Sequence, residues 1–224
     1  MSSEEDIEIL NLWLTPYKEA IDKMESLHHQ IASKSDTKEV IILTEHLTTI
    51  TLGKRNLKED VLYSKESLRK MGIAYVQTDR GGSATIHEPG QVVIYPLLRL
   101  LERKLSVRDY VGLLEESIIK ECEKFHIQAN RDAINPGVWV GKNKIAAIGI
   151  RIQNRVSKHG LAFNINNNLN AFSTIVPCGL KTRGVTSLKK ETKLDSINHM
   201  ATGMSLCKYL SKMIIKKNKT GHAS

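Results

Sequence analysis

Only three of the 224 residues are cysteines. That odd number, without the spacing of a disulfide framework, points to a reducing cytoplasm and no structural disulfide. No apolar run approaches the roughly 20 residues that span a bilayer, so no membrane association is expected. The acidic start, MSSEEDIEIL, fits neither a secretory n-region nor a transit peptide, and a cytoplasmic location is expected. Aromatic residues make up only 5% of the chain. Stacking platforms for single-stranded nucleic acid need them, and no nucleic-acid-binding motif is present, so no nucleic acid partner is expected. Internal repeats and low-complexity linkers are also missing. Residues 1–224 are therefore expected to form a single domain, with a flexible basic tail from about residue 217.

What remains is an ordinary globular composition, 41% hydrophobic and 25% charged, in a chain long enough to bury a sizeable core. The net charge of +9 has two readings. It keeps a solvated surface soluble, or part of it meets an acidic protein partner.

Hydrophobic periodicity marks the elements. Thr15-Pro16 reads as an N-cap and first-turn proline, with Ala20, Ile21, Met24, Leu27 and Ile31 at helical spacing behind it. His28 and His29 are adjacent, so they point to different parts of that helix surface and read as surface polar residues, not a metal pair. Glu39–Gly53 reads as two β-branched strands joined by a bend near Glu45-His46. His46 is either a satisfied strand-end histidine or part of a site wall. Ser64–Met71 reads as a short helix closed by Gly72, and Ile73–Gln77 as a strand. Gln91–Leu98 reads as a strand that Pro96 confines to an edge or interrupts at its end. Ser106 opens what reads as the longest amphipathic helix, with the stripe Val111, Leu114, Ile118, Cys122 and Phe125. Strands follow at Gly137–Val140, Lys144–Gln153 and Ser157–Ile165, the first two joined near Lys142-Asn143. The stretch Gly203–Lys217 contains a last helix, with Cys207 on it.

Two residues carry candidate chemistry. Lys144 starts a strand, where a long side chain reaches over the sheet end; the alternative is a solvated strand-end lysine. Cys178 sits between Pro177 and Gly179, a grammar of tight turns in which a core-filling cysteine is unusual. A thiol is nucleophilic as thiolate, and a nearby ammonium favours that form, so a Lys/Cys pair suits acyl transfer. The stretch DRGGSATIHEPGQ follows an arginine with two glycines that free backbone amides to face a ligand. No G-K-[ST] follows, so it is not a nucleotide-binding P-loop. Arg80 is either a ligand wall residue or a salt-bridged surface arginine.

Taken together, RGGSATIHEPGQ, GVWVGKNKIAAIGI, HGLAFNI, VPCG and GVTSL resemble the lipoyl(octanoyl) transferase family, in order and over most of the chain. The resemblance implies an α/β fold of mixed, mostly antiparallel sheets flanked by helices, as in the biotin and lipoate protein ligase catalytic domain. It implies transfer of an octanoyl group from octanoyl-acyl carrier protein to a lysine of lipoyl domains, the first step of protein lipoylation. Acceptors on this reading are the lipoyl domains of 2-oxoacid dehydrogenase complexes and the glycine cleavage H protein. Cys178 is then the nucleophile that becomes the acyl-thioester, and Lys144 the general acid/base. The acyl site falls on Arg80, Gly81, Gly82, Ser83, Ala84, Thr85, Ile86 and His87, on Ala147, Ile148 and Gly149, and on Gly160, Leu161 and Ala162. No cofactor, metal or ATP is expected. Two alternatives remain: an ATP-using lipoate or biotin ligase on the same fold, which has no need of Cys178, and a basic binding module without chemistry. The family usually reads H-G-P-G-Q where this chain has His87-Glu88-Pro89-Gly90-Gln91, and an aromatic where Ile86 stands. Glutamate resists the positive φ that glycine adopts, so the sequence leaves the loop at Glu88 open.

Overall fold

The computed structural model describes residues 7–55, 57–176 and 183–220. Strand β1 (Glu8–Leu14) precedes helix α1 (Tyr17–Ser33), followed by β2 (Val40–Glu45) and β3 (Thr49–Leu52). Helix α2 (Lys65–Lys70) leads into β4 (Ala74–Gln77), β5 (Ala84–His87) and β6 (Gln91–Leu97). After helix α3 (Val107–Glu123) come β7 (Asn130–Arg131), β8 (Gly137–Val140), β9 (Asn143–Gln153) and β10 (Val156–Asn164). Strand β11 (Gly184–Val185) and helices α4 (Leu188–Thr192) and α5 (His199–Thr220) complete the order.

An eight-stranded sheet runs β1-β2-β6-β10-β9-β8-β7, with β11 beside β9, and a three-stranded sheet runs β4-β3-β5. Pairing is antiparallel except at β1/β2, β3/β4 and β11/β9. Alternate residues of the central strands serve two cores, as a period of two requires. Ile41, Leu43, Val92, Ile94, Leu161 and Phe163 pack beneath α3 and α5. Val40, Ile42, Val93, Tyr95, Leu97 and Ala162 pack beneath Met24 and Ile31 of α1. A third core joins Ile50, Leu52, Ala84 and Ile86 of the small sheet to Leu68, Phe172 and Ile175. This is the expected fold class, with sheets mostly antiparallel and helices on both faces of the larger one.

The helix starts at Ser64 and Ser106 are as read, each hydroxyl accepting from the backbone three residues on (3.1 Å in both). Gly72 adopts φ +74° behind α2. Other expectations are corrected. Pro16, not Thr15, caps α1; the Thr15 hydroxyl turns back onto Leu12 O. His28 is buried and its Nε2 lies 3.1 Å from Gln153 O, so it fastens α1 to the β9–β10 turn and is no surface residue. The two strands expected in Glu39–Gly53 are there, as β2 and β3 joined by a turn after Glu45, and they enter different sheets. Of the two readings of Pro96 the strand end holds and the edge does not, since β6 is central and Pro96 lies one residue from its end. The longest helix is α5, not α3, and it runs to Thr220. Lys217 of α5 pairs with Asp109 of α3. The β8–β9 turn is Gly141-Lys142, since Asn143 already belongs to β9. Glu88 takes no positive φ. Its carboxylate is buried and accepts from Asn167 Nδ2 (2.9 Å) and Leu169 N (3.1 Å). Burial raises its pKa against those two hydrogen bonds.

Candidate active site

Between the two sheets, on the α1 side of the larger one, lies a cavity of about 340 Å³. Among the residues that line it are Gly82–Thr85 with Arg80 and His87, Lys144 and Ala147–Gly149 of β9, and Gly160–Ala162 of β10. Gly81 and Ile86 are not among the lining residues. Gly81 N donates to Ile150 O at 2.9 Å, and Ile86 belongs to the third core. Cys178 lies outside the described residues.

Arg80 is buried and its guanidinium is turned inward to the backbone. It donates to Thr51 O at 2.6 Å, Ser83 O at 2.8 Å and Gly81 O at 3.0 Å. Its position therefore fixes the two-glycine loop, and it is not the salt-bridged surface arginine of the alternative reading. The loop lies directly on β9: a Cβ at Gly149 would stand 2.9 Å from Gly81 O. No larger residue leaves room for that approach.

Lys144 is buried, so the solvated strand-end reading does not hold. Its Nζ lies 3.3 Å from Pro136 O and 4.7 Å from the centre of the Trp139 ring. The Arg183 guanidinium also lies 4.7 Å from that ring centre and pairs with Asp132. Strand β11 follows Arg183 and pairs Val185 with Lys144. On the other flank of residues 177–182, Val176 N donates to the carbonyl of Asp60, itself a cavity residue.

The opposite end of the cavity holds Tyr17, His87, Tyr95 and His159. His46 stands behind them, its Nδ1 2.9 Å from Thr15 O and its Nε2 2.9 Å from Tyr95 Oη. It is thus both a satisfied histidine and a backing to the wall. His87 stacks on Tyr17 with ring centres 5.6 Å apart. His159 Nε2 lies 2.6 Å from Asp79 Oδ1, and Lys158 Nζ 2.9 Å from Asp79 Oδ2. Burial pushes the Asp79 carboxyl up, but the hydrogen bonds from His159 and Lys158 outweigh it and leave it below its usual range. Burial holds His87 far below the ordinary histidine range, with His46 adding to the effect, and it outweighs Asp79 at His159. Tyr17, Tyr95 and His159 escape a sequence reading. Tyr17 looks like a first-turn helix residue and Tyr95 like strand core; for His159 the adjoining glycine is the one available signal. Among the described residues no group of three or more His, Cys, Asp or Glu is arranged to hold a metal ion. Cys122 and Cys207 are both buried in the core; burial pushes the Cys122 thiol up to about 12 and Cys207 further.

Acid should loosen this end. Burial lowers the His46 titration from 6.5 to about 4. Between those values the unfolded chain holds a proton that the folded chain refuses, so stability present above pH 6.5 is lost as pH falls toward 4. His46 alone accounts for roughly 3 kcal/mol of that loss, and His87 acts in the same direction. Urea midpoints at pH 7 and pH 4.5 should therefore differ more in the wild type than in His46→Gln. An equal pH difference in the two proteins would remove His46 from the account.

The strand order and the helices on both faces define the α/β catalytic domain of the lipoate and biotin protein ligases. A lipoate-protein ligase A bound with ATP superimposes with a TM-score of 0.70 at 15% identity, over 92% of this chain and 85% of that one. The biotin protein ligase from Aquifex aeolicus gives 0.54 at 12% identity, over 95% and 70%. At these identities the likeness is one of fold. The sequence goes further: the lipoyl protein ligase A/B catalytic domain profile matches residues 16–210, and the chain belongs to that family. The octanoyltransferase of Alkaliphilus metalliredigens is 41% identical over 186 residues, 82% of this chain and 84% of its relative.

Proposed function

We propose that this chain is an acyltransferase that moves an octanoyl group from octanoyl-acyl carrier protein to a lysine of a lipoyl domain, through a thioester on Cys178. The observation that carries the reading is the 41% identity, over most of both chains, to an octanoyltransferase. The cavity is consistent with it, having buried Lys144 in one wall and both flanks of residues 177–182 fastened beside it. The Cys178 thiolate attacks the donor carbonyl, and the tetrahedral oxyanion is stabilised by backbone amides of the glycine-rich walls. As it collapses, the carrier thiolate leaves and takes a proton from the Lys144 ammonium. The acceptor amine then attacks the enzyme thioester. Lys144, now neutral, removes the amine's proton, the amide forms, and the Cys178 thiolate is restored. Trp139, with Lys144 and Arg183 both close to its ring, is the positioning group for the lysine; such a cation–π contact contributes about 1–2 kcal/mol when desolvated.

Thioester exchange is close to neutral and amide formation is downhill, so no nucleotide enters the scheme. Purified protein should octanoylate a lipoyl domain from octanoyl-acyl carrier protein in EDTA without ATP. It should do nothing with free octanoate, ATP and Mg²⁺. Efficient ATP-dependent modification by a Cys178→Ala protein would make the ligase the better reading. A folded protein inert toward every donor would favour a binding module.

A further inference from the structure

The hydrogen bonds around the cavity end opposite Lys144 fix the protons of three histidines. Asn164 Nδ2 donates to Thr186 O at 3.0 Å, so Asn164 Oδ1 is the acceptor for Gln91 Nε2 at 2.8 Å. Gln91 Nε2 also donates to Ile86 O at 3.0 Å. The Gln91 oxygen is therefore the atom 2.8 Å from His87 Nδ1, and Nδ1 must carry the hydrogen. His87 Nε2 is left as a lone pair, with no hydrogen-bond partner among the described residues. The same logic applies to His46: its Nδ1 donates to Thr15 O, so its Nε2 accepts from the Tyr95 hydroxyl. Tyr95 has spent its hydrogen and offers its oxygen lone pairs. His159 donates from Nε2 to the Asp79 carboxylate, which leaves Nδ1 as an acceptor. Burial disfavours the imidazolium at all three, so none regains a second donor near neutral pH. Arg80, the nearby cation, donates to Thr51, Gly81 and Ser83 carbonyls.

An octanoyl chain ends in a methyl group and has no use for lone pairs. The register places these acceptors where the tail of an acyl chain would lie. Leu161 pairs with Ile94 and Gly160 with Gly149, so Tyr95 sits two strands from Gly149. Two strand spacings and the rise from Gly149 to Lys144 separate the Tyr95 and Lys144 Cα atoms by about 19 Å. Chemistry at the Lys144 end thus leaves the far end of a medium-length chain facing His87, Tyr95 and His159. Tyr17, whose hydroxyl can act either way, lines the same end.

We propose that this end of the cavity binds acyl chains that terminate in a hydrogen-bond donor, so that ω-hydroxyacyl groups of octanoyl length are substrates alongside octanoyl itself. The proposal rests on the acyltransferase reading for the direction in which the chain lies. An apolar pocket disfavours an added hydroxyl by about a hundredfold, whereas a hydroxyl that finds a waiting acceptor recovers most of that loss.

The test compares pantetheine amides of octanoic and 8-hydroxyoctanoic acid, which cannot react, by titration calorimetry. The hydroxy analogue should bind the wild type within about threefold of the octanoyl one. In Tyr95→Phe and His87→Leu the hydroxy-to-octanoyl ratio should fall about tenfold, and in His87→Gln, which keeps an acceptor, by less. Using the ratio cancels any general weakening, and the His87 pair carries the test if Tyr95→Phe does not fold. Binding of the hydroxy analogue ten or more times weaker than octanoyl in the wild type overturns the proposal. So does a ratio that none of the variants moves, or no binding of either analogue. The matching thioesters are then offered with a lipoyl domain. If the amides bind as expected but neither thioester is transferred, the acyltransferase reading fails and the binding site stands.

Discussion

Cys178→Ala is expected to abolish octanoyl transfer, with a loss on the order of 10⁴-fold or more, because a covalent relay has no partial substitute for its nucleophile. Incubation of the wild type with octanoyl-acyl carrier protein should leave one octanoyl group on Cys178, seen by intact mass and peptide mapping. The other two thiols are controls with a structural reason. Cys122 faces the core from α3 and Cys207 from α5, both fully buried, and burial raises both well above the range in which a thiolate forms near neutral pH. Cys122→Ala and Cys207→Ala should therefore still acylate. Lys144→Ala should keep the thiol but slow its alkylation by iodoacetamide at pH 7 by about tenfold, since the neighbouring ammonium that favours thiolate is gone. An adduct mapped to either core cysteine would reassign the nucleophile. Alkylation unaffected by Lys144→Ala would confine the lysine to the second half of the reaction.

Gly160→Ala should be among the most damaging single-methyl additions in the chain. A Cβ at Gly160 would stand 2.1 Å from Ile94 O and 2.8 Å from the Pro96 ring. The carbonyl belongs to a central strand whose neighbours on both sides are hydrogen-bonded, so relief requires moving β6 or β10 as a unit. Overpacking of this kind costs about 3 kcal/mol or more, a drop in melting temperature of roughly 6–12 °C for a chain of this length. Gly160 also lines the cavity, so acyl binding should weaken in the protein that does fold. Gly112, inside α3, makes the contrast. Nothing lies within 4 Å of its added Cβ and its φ is ordinary, so Gly112→Ala should stabilise by about 0.5–1 kcal/mol. Calorimetric melts of the two variants should move in opposite directions. A melt of Gly160→Ala within 2 °C or so of the wild type would mean that the β6–β10 contact is looser than these distances require.

The sequence by itself determined what depends on near neighbours. Ser64 and Ser106 announce helix starts because a hydroxyl caps amides only three residues away. The stripes of α1 and α3, and the alternation along β9, follow from the geometry of one element. The glycine pair after Arg80, Lys144 at a strand start and Cys178 between proline and glycine were legible as motifs for the same reason, and they pointed to a family. Tertiary structure decided whatever depends on which strand lies beside which. Nothing local says that β2 and β3 part into different sheets, or which of the two readings of Pro96, an edge strand or a strand end, is the right one. His28 reads as surface until the β9–β10 turn, over a hundred residues away, offers it Gln153 O. Glu88 looks misplaced in a glycine position until Asn167 and Leu169 come to bond it. The wall of Tyr17, His87, Tyr95 and His159, with His46 behind it, draws on α1, β5, β6, β10 and the turn after β2. Its chemistry lies in which nitrogen holds the proton, and that is set by acceptors such as Thr15 O, Gln91 and Asp79. A residue's pattern of neighbours along the chain fixes its face, but only the closed sheet supplies its hydrogen-bond partners.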